Sequence, residues 1–319
     1  MNAISSITGN WDRRISRRKF LAAGGMGAVA LLLGAEEPKK GAVLTAPTFP
    51  DYPFKLGVAS GDPLPEGIVL WTRLAPDPLL GGGMPQRNVK VRWEVASDED
   101  FSQIVQSGTA TAKPEFAHSV HVEVGELEPG RYYWYRFKSG DEISATGRTR
   151  TAPPLGSELN TMAFAFASCQ YWEDGYYPAY RAMAEEDLDL VIHLGDYIYE
   201  WGPISGGPRT HETPAPATLD GYRNRYALYK TDPDLQAAHA AHPWMVTLDD
   251  HEGYNSYADL LDEDSRPTTK AFVDREAAYR AYYEHMPLRR SSLPRGADMR
   301  LYRRITYGDL AQLSVLDTR

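Results

Sequence analysis

Three apolar, strand-like runs each lead directly into a short polar motif, and this arrangement favours a layered α/β fold. The three segments are 164–170 (FAFASCQ), 190–200 (LVIHLGDYIYE) and 244–252 (WMVTLDDHE). Apolar runs of this length are typical of buried strands in a parallel sheet. Ligands of such sheets bind beyond the carboxyl ends of the strands, where the polar residues fall. We therefore expect a thiol, carboxylates, a phenol and a histidine at one rim of the sheet.

This mixture of donor groups predicts a multinuclear metal site for phosphoryl chemistry. Two metal ions about 3.5–4 Å apart activate a water and stabilise charge on the transferring group. Asp196 is the candidate bridging carboxylate, because Gly195 before it permits a tight turn at the strand end. Tyr199 lies three residues further on and is a candidate phenolate ligand. Phenolate and the Cys169 thiolate together favour a trivalent or borderline metal such as iron over magnesium.

The third motif supplies a second carboxylate and a histidine. Asp250 offers hard oxygen donors, which suit calcium. His251 is a candidate donor of a hydrogen bond to the phosphoryl oxygen or the leaving group. Asp250 and His251 are therefore the candidate catalytic residues.

Cys169 is the only cysteine of the chain, so an intrachain disulfide is impossible. A lone cysteine is often a small buried apolar residue. A second alternative is a hydrolase with Cys169 as nucleophile, but a nucleophilic cysteine needs a base within hydrogen-bond reach, and no local signature provides one. Its position after a strand, in register with the other two polar motifs, favours a metal ligand.

The N-terminus has the pattern of an export signal. Arg17 and Arg18 precede Phe20, and an apolar Gly/Ala-rich run follows from Leu21 to Leu33. This run is shorter than the roughly 20 residues of a transmembrane helix. Basic residues before a short apolar segment indicate a signal peptide, and the arginine pair indicates the twin-arginine translocase. We expect a signal peptide at 1–35, no transmembrane segment after its cleavage, and a periplasmic, extracellular or cell-wall location.

The remaining chain divides into a linker and two regions of different pattern. Residues 36–50 form the linker. Residues 51–152 show period-two alternation, as at Val91–Val95 and Val120–Val124, and predict an all-β sandwich of the fibronectin or immunoglobulin type. Leu127–Gly130 leads into the aromatic segment Arg131–Phe137, as in a tyrosine corner. Residues 153–319 alternate strands with helices and predict the α/β part.

Helix and turn signals locate the elements of the second region. The predicted helices span Tyr177–Glu186, Leu219–Leu228, Pro233–Ala241 and Lys270–His285. A hairpin is predicted over Leu301–Tyr307 and Ala311–Leu316, around Gly308–Asp309. Trp201–Pro216 is rich in Gly and Pro and predicts a long loop over the site. Arg209 and His211 on this loop are candidate contacts to a substrate phosphate.

Composition excludes some classes of function. The chain has 319 residues, a net charge of −9 and a 42% apolar share, which suits about two ordinary globular domains. An acidic surface argues against stable nucleic-acid binding, which needs clustered cations. It does not exclude an anionic substrate, since bound metals dominate the field inside a site. We expect a monomer.

The sequence resembles the PhoD-type alkaline phosphatase/phosphodiesterase family, within the calcineurin-like metallophosphoesterases. The matching segments are Phe54–Pro63, Val69–Leu74, Ser168–Gln170, Gly195–Glu200, Tyr222–Tyr226, His242–Trp244 and Asp249–Glu252. The resemblance implies an exported enzyme that hydrolyses phosphate esters with a metal-activated water. It also implies a fibronectin-like N-terminal domain and twin-arginine export.

The resemblance further implies a set of metal ligands. Iron (Fe3+) would be held by Cys169, Asp196 and Tyr199, and calcium by Asp196 and residues around Asp250. Asn255 is a candidate calcium ligand because it stands where the family has an asparagine pair; here the pair reads Asn-Ser.

Two alternatives concern the second region. Metallophosphoesterases need later ligands from Asp- and His-bearing loops, and no such element follows Asp250 and His251 in these 319 residues. One alternative is therefore a C-terminally truncated fragment with little or no activity. The other is a non-catalytic binding module that uses the sandwich domain. The natural substrate, whether monoester, diester, teichoic acid or phospholipid, is left open by the sequence.

Overall fold

The computed structural model describes residues 47–259, 261, 264 and 269–319, with side chains from 275 onward in the last range. The predicted signal peptide and most of the predicted linker lie outside the described residues. None of the helices within the described part is long and apolar enough to cross a membrane.

Thirteen strands and four α-helices make up the described fold. The strands are β1 (Val58–Leu64), β2 (Gly67–Arg73), β3 (Val89–Ala96), β4 (Ile104–Ala112), β5 (Ser119–Val124), β6 (Tyr132–Ser139), β7 (Glu142–Ile143), β8 (Gly147–Arg150), β9 (Phe164–Ala167), β10 (Leu190–His193), β11 (Pro243–Val246), β12 (Arg303–Tyr307) and β13 (Ala311–Val315). The helices are α1 (Pro178–Glu185), α2 (Leu219–Lys230), α3 (Pro233–Ala241) and α4 (Thr269–His285). The four predicted helices and the predicted hairpin β12–β13 are confirmed, with boundaries shifted by one or two residues.

A six-stranded mixed sheet runs through the centre in the order β5-β2-β1-β11-β10-β9. The three apolar runs form its parallel part, in which Ile192 pairs with Phe166 on one side and with Met245 on the other. The carboxyl ends of β9, β10 and β11 therefore lie side by side at one edge, as the sequence predicts. Strand β1 pairs in parallel with β11, so a single sheet contains strands from both predicted regions, 51–152 and 153–319.

Strands β4, β3, β6 and β7 form a second sheet, to which β8 adds by pairing with β6. Apolar residues of this sheet and of β1, β2 and β5 meet in one buried cluster, for example Val91 and Phe137 against Val58 and Leu70. The alternation of inward and outward residues along β6 reflects this burial on one face. The Tyr133 hydroxyl accepts a hydrogen bond from the backbone N–H of Glu128 at 2.9 Å, a contact of the kind found in tyrosine corners.

Behind the parallel strands lies a second, larger core that is rich in aromatic residues. It includes Tyr197, Tyr226, Trp244 and Tyr282, all almost fully buried. The short helices α2 and α3 begin with capping side chains: Thr218 accepts from the backbone N–H of Gly221, and Asp232 accepts from those of Asp234 and Leu235. These helices and α4 cover one face of the sheet, and the hairpin β12–β13 packs on Leu190, Ile192 and Met245 of the other.

Candidate metal centre

The polar motifs meet because the sheet continues briefly beyond its regular strands. The backbone N–H of Cys169 donates to the Gly195 carbonyl at 3.2 Å, and that of Gln170 donates to the Asp196 carbonyl at 3.2 Å. On the other side, Thr247 N–H donates to the His193 carbonyl at 3.0 Å. The three chain segments are thus held together up to the residues that carry the site.

The backbone is strained where it leaves two of these strands. Cys169 and Asp196 adopt φ values of 56° and 55°, in the left-handed region that non-glycine residues rarely occupy. Gly195 has φ 117°, and a Cβ there would lie 2.4 Å from the backbone nitrogen of Asp249. Glycine is therefore required at 195, as the sequence predicts. Strain of this kind collects at functional sites, where the surrounding fold holds it in place.

Asp196 is the point at which the motifs converge. Its Oδ2 accepts from the Cys169 thiol at 3.4 Å and from the Tyr199 hydroxyl at 3.2 Å. Its Oδ1 accepts from the backbone N–H of His251 at 3.3 Å. The sulfur of Cys169 lies beside the Asp196 carboxylate and the side chain is exposed, so the alternative of a buried apolar cysteine is wrong. No described histidine forms a hydrogen bond with the Cys169 sulfur, and the cysteine-nucleophile alternative gains no support.

Three carboxylates gather at this position. Single oxygens of Asp196, Asp249 and Asp250 all lie within 4.8 Å of one another. Asp250 Oδ2 also accepts from the backbone N–H of Ser256 at 2.5 Å. Asp249 was not among the predicted site residues, although it is the first residue of the Asp249–Glu252 motif. The available sequence signal for Asp249 was that two adjacent acidic residues follow a buried strand.

Charge in the cluster is only partly neutralised by the protein. Burial raises the pKa of Asp196, and the nearby Asp250 charge adds to this while His251 opposes it. Burial also disfavours the charged form of Asp250, but the Ser256 N–H and Arg319 outweigh it and lower the pKa. Arg319 reaches Asp249 Oδ1 at 2.5 Å and Asp250 Oδ1 at 3.1 Å. A bound cation would relieve the repulsion between these carboxylates.

His251 is oriented by a residue that the sequence analysis missed. Its Nδ1 lies 2.8 Å from Glu200 Oε2, and Glu200 Oε1 accepts from the backbone N–H of Asn255 at 2.9 Å. Burial lowers the pKa of His251, but the Glu200 contact and the charges of Asp196 and Asp250 outweigh it, so the net shift is upward. Asn255 therefore lies in the loop next to the candidate site, fixed through Glu200. The only sequence signal for Glu200 was its place as the last residue of the Gly195–Glu200 motif.

Aromatic rings form one wall of the site. The centroid of the His251 ring lies 4.2 Å from that of the Tyr199 ring and 4.7 Å from that of the Trp201 ring. Tyr171 contacts Tyr199 from the other side, at 4.9 Å between ring centroids. Burial, reinforced by the Asp196 charge, raises the pKa of Tyr199, so its hydroxyl stays protonated unless a cation replaces the proton.

Glu252 stabilises the backbone that carries the acidic cluster. It is fully buried, its Oε1 accepts from the backbone N–H of Tyr197 at 2.5 Å, and its Oε2 accepts from that of Asp249 at 2.8 Å. Burial raises its pKa to about 8. Glu252 thus connects the Gly195–Glu200 motif with the Asp249–Glu252 motif by hydrogen bonds to backbone N–H groups, and it is not itself a candidate ligand.

Arg209 and His211 are engaged within the protein. The Arg209 guanidinium lies 3.6 Å from the centre of the Trp172 ring and pairs with Asp232 at 2.7 Å. His211 is 1% exposed, and its Nε2 lies 3.1 Å from the Tyr229 hydroxyl. Both were predicted on a long loop over the site; residues 201–216 have no helix or strand, but they turn these two side chains inward. Contact with a substrate phosphate stays a prediction for both.

Comparison with known proteins identifies the relatives of this chain. The family model for the PhoD-like phosphatase matches residues 164–319, and the model for the N-terminal domain of PhoD-like phosphatases matches residues 40–153. The chain belongs to the PhoD-like phosphatase family. This membership agrees with the resemblance that the motifs indicate.

Two relatives give the extent of the similarity. Alkaline phosphatase D of Bacillus subtilis (strain 168) is 57% identical over 320 residues, covering 97% of this chain and 54% of the relative. A solved structure of PhoD is 59% identical and superposes with a TM-score of 0.84, covering 86% of this chain and 53% of the other. The chain thus spans about half the length of the relatives it matches.

Proposed function

We propose that this member of the PhoD-like phosphatase family is a metal-dependent hydrolase of phosphate esters. The observation behind the proposal is the convergence of Cys169, Tyr199, Asp249 and Asp250 on the carboxylate of Asp196 at the ends of three parallel strands. The similarity to a protein named alkaline phosphatase D supports the same reaction class.

The donor set fits two kinds of metal ion. A thiolate, a phenolate and a carboxylate, from Cys169, Tyr199 and Asp196, suit iron (Fe3+). Carboxylate and amide oxygens from Asp196, Asp250 and Asn255 suit calcium. When bound, such ions would activate a water and neutralise charge on the phosphoryl group. Arg319 neutralises Asp249 and Asp250 in the same place, and we propose that it moves aside as a cation binds.

His251 acts on the phosphoryl group in this proposal. The Glu200 carboxylate holds Nδ1 and its proton, which leaves Nε2 for the substrate. The upward shift of the His251 pKa favours the imidazolium, which can donate from Nε2 to a phosphoryl oxygen or to the leaving group. The rings of Tyr199 and Trp201 limit the rotation of His251 and exclude water from one side.

The first test is metal analysis combined with turnover. Protein supplied with iron and calcium should contain both metals and hydrolyse p-nitrophenyl phosphate or its diester, and a chelator should abolish both properties. Asp196→Asn keeps the shape of the side chain but lacks the charge, and Asp141→Asn at an exposed turn is the matched control. Turnover that persists after complete metal removal would contradict the proposal.

The fold of each half belongs to the proposal as well. We propose a fibronectin-like sandwich over 51–152 and a layered metallophosphoesterase-like part over 153–319. The shared core of Val91, Phe137, Val58 and Leu70 and the corner contact of Tyr133 support the first assignment. The parallel order of β11, β10 and β9 with helices against them supports the second.

We further propose export of a monomer through the twin-arginine translocase to the periplasm, the cell wall or the medium. Arg17 and Arg18 before the apolar run support this route. Replacing both by lysine should retain the protein in the cytoplasm. Unchanged export of the lysine variant would exclude this pathway. The net charge of −9 supports the absence of stable nucleic-acid binding.

A further inference from the structure

The segment 199–201 carries side chains of the candidate site but belongs to no helix or strand. Within it, the Tyr199 hydroxyl donates to Asp196, and Glu200 contacts His251. The backbone N–H and C=O groups of such a segment lack the partners that a sheet or a helix would provide, so other groups must bind them. Whatever binds them determines where these site side chains lie.

Helix α2 provides these partners from one face. Arg225 and Tyr229 are four residues apart, so their side chains lie on the same face of the helix. The Arg225 Nη1 donates to the backbone carbonyl of Tyr199 and, at 2.8 Å, to that of Trp201. The Tyr229 hydroxyl accepts from the backbone N–H of Tyr199 at 3.2 Å. The residues before and after Glu200 are therefore both fixed by α2.

The same guanidinium also binds the far end of the loop 201–216. Its Nη2 donates to the backbone carbonyl of Thr213 at 3.1 Å and to that of Pro214 at 3.0 Å. Within the described residues, the hydrogen bonds of Arg225 all go to backbone carbonyls and none goes to a carboxylate. The beginning and the end of the loop therefore meet at one side chain.

Arg225 is a costly residue to bury. It is 0% exposed. Burial lowers its pKa, and nearby groups that include Glu173 and Glu200 oppose this shift. A buried cation without a paired carboxylate contributes less to stability than a well-packed apolar side chain of similar size would. The presence of a guanidinium here is therefore explained by the carbonyls that it orients.

We propose that Arg225, together with Tyr229, is a positioning residue of the candidate site, which fixes the backbone on both sides of Glu200 and so places Tyr199 against Asp196 and Glu200 against His251. This inference rests on the proposed function, because that function assigns metal binding to Tyr199 and proton donation to His251. The pair acts through the segment 199–201. A displacement of about 1 Å at a reacting group lowers a rate up to about a hundredfold, so loss of the pair should reduce catalysis.

Two variants with matched controls test the pair in the full chain. Arg225→Lys keeps the charge but replaces the planar fork of donors with a single nitrogen. Its control is Arg73→Lys, since Arg73 is also 0% exposed and its hydrogen bonds go to Ala117 and His285.

The second variant, Tyr229→Phe, removes only the hydroxyl and keeps the ring. Its control is Tyr226→Phe on the same helix, because no described residue forms a hydrogen bond with the buried Tyr226 hydroxyl. Urea denaturation verifies that each variant is folded. If Arg225→Lys does not fold, Tyr229→Phe decides the proposal.

Amide hydrogen exchange of metal-free protein measures the positioning directly. The backbone N–H of Tyr199 donates to Tyr229, and those of Ile204 and His211 in the loop donate to Glu173. In Arg225→Lys and Tyr229→Phe, exchange in this region should be faster than in the wild type by about tenfold or more, because the local hydrogen bonds open more often. The two controls should exchange here at the wild-type rate.

Turnover per bound iron measures the consequence. Each protein is supplied with iron and calcium, and hydrolysis of p-nitrophenyl phosphate is divided by iron content. A phenolate bound to ferric iron absorbs visible light, and this absorption per iron reports on Tyr199 independently of the folded fraction. Arg225→Lys should lose much of this absorption and about tenfold or more in kcat at a nearly constant KM. Tyr229→Phe should show a smaller loss in the same direction, and the controls none.

The outcomes are distinct. Equal exchange and equal turnover per iron in the variants and their controls would overturn the proposal, and so would faster exchange with wild-type absorption and kcat, because the pair would then only stabilise the loop. A wild-type chain without bound iron and without turnover would contradict the proposed function instead. The exchange of metal-free protein would still confirm or overturn the role of the pair in fixing the segment 199–201.

Discussion

His251 lies on the rim of the sheet, whereas His193 and His239 lie in the interior. Their different surroundings give the same type of residue two different roles. His251 faces carboxylates of Glu200, Asp196 and Asp250, and its pKa is shifted upward in spite of burial. Burial and the charge of Lys230 lower the pKa of His193 to about 3. His239 lies between rings, 3.8 Å from that of Trp244. The interior histidines therefore stay neutral and structural, whereas His251 can hold a proton at the rim.

The strongest way to test this difference is to remove the group at the centre of the rim. Asp196→Asn removes one negative charge from a position that the Cys169 thiol and the Tyr199 hydroxyl also contact. We expect loss of bound metal and a fall in turnover of about a thousandfold or more, since Asp196 would be a ligand of both proposed ions. Metal analysis and hydrolysis of p-nitrophenyl phosphate measure the two effects. Normal metal content with near-normal turnover would refute the central role of Asp196.

The interior has its own titratable centre, and its effect should appear in stability. Burial lowers the pKa of Lys230 from 10.5 to about 7. The ammonium group lies 4.4 Å from the centre of the Trp71 ring. Between these two pKa values the unfolded chain binds a proton that the folded chain does not. The Lys230 contribution to folding stability therefore rises with pH in this window, falls as the pH is lowered toward 7, and changes little below it.

Lys230→Met should remove this dependence. For the wild-type protein we expect the free energy of unfolding to increase by about 2 kcal/mol between roughly pH 8 and 9.5, above the pKa of Glu252, from a factor of about 1.4 kcal/mol per pH unit. The variant should show a nearly flat profile over the same range by urea denaturation. Lys90→Met, at an exposed strand position, is the control and should keep the wild-type slope. A slope that survives in Lys230→Met would assign it to another group.

Much of the rim was predictable because its signals are local. A buried strand followed by Gly195 and Asp196 predicts a turn and a carboxylate at the sheet edge, and the structure has both. Asp249 and Glu200 were missed because their importance depends on contacts with Asp196 and His251 across the sheet. Arg209 and His211 were predicted as phosphate contacts on a loop over the site. A Gly- and Pro-rich segment does not reveal that these side chains contact Trp172, Asp232 and Tyr229 inside the protein.

The fold shows the same limit. The period-two strands and the four helices follow from residue patterns, but the parallel pairing of β1 with β11 does not. Gly61 pairs with Trp244, and a Cβ at Gly61 would lie 2.7 Å from the Trp244 carbonyl. This close approach joins two regions that have different patterns and lie far apart in the chain. Long-range pairing of this kind leaves little trace in a single sequence beyond one glycine.

A smaller effect is expected for the histidine of the rim. His251→Ala should leave metal content unchanged and lower turnover about a hundredfold, because its proposed task is to donate a proton or hydrogen bond during the reaction. Glu200→Gln keeps the histidine and weakens only its orientation, so its loss of turnover should be smaller. Metal loss in His251→Ala would instead make this residue part of the metal centre.

The smallest effect should come from the interior hydrogen bond between Tyr197 and His239. The Tyr197 hydroxyl lies 2.8 Å from His239 Nε2, and both side chains are at most 2% exposed. Tyr197→Phe leaves the ring packing intact and removes the partner of a buried nitrogen, so we expect a loss of about 1–3 kcal/mol in the free energy of unfolding. Tyr132→Phe, which removes a hydroxyl bonded to exposed Asp187, is the control and should change stability by less. Metal content and turnover should stay at wild-type values, because the Tyr197 hydroxyl faces the interior and the Tyr197 contacts with Glu252 and Gln170 are made by its backbone. If Tyr197→Phe lost much of its turnover at normal stability, the distinction between a structural interior histidine and a functional rim histidine would be wrong.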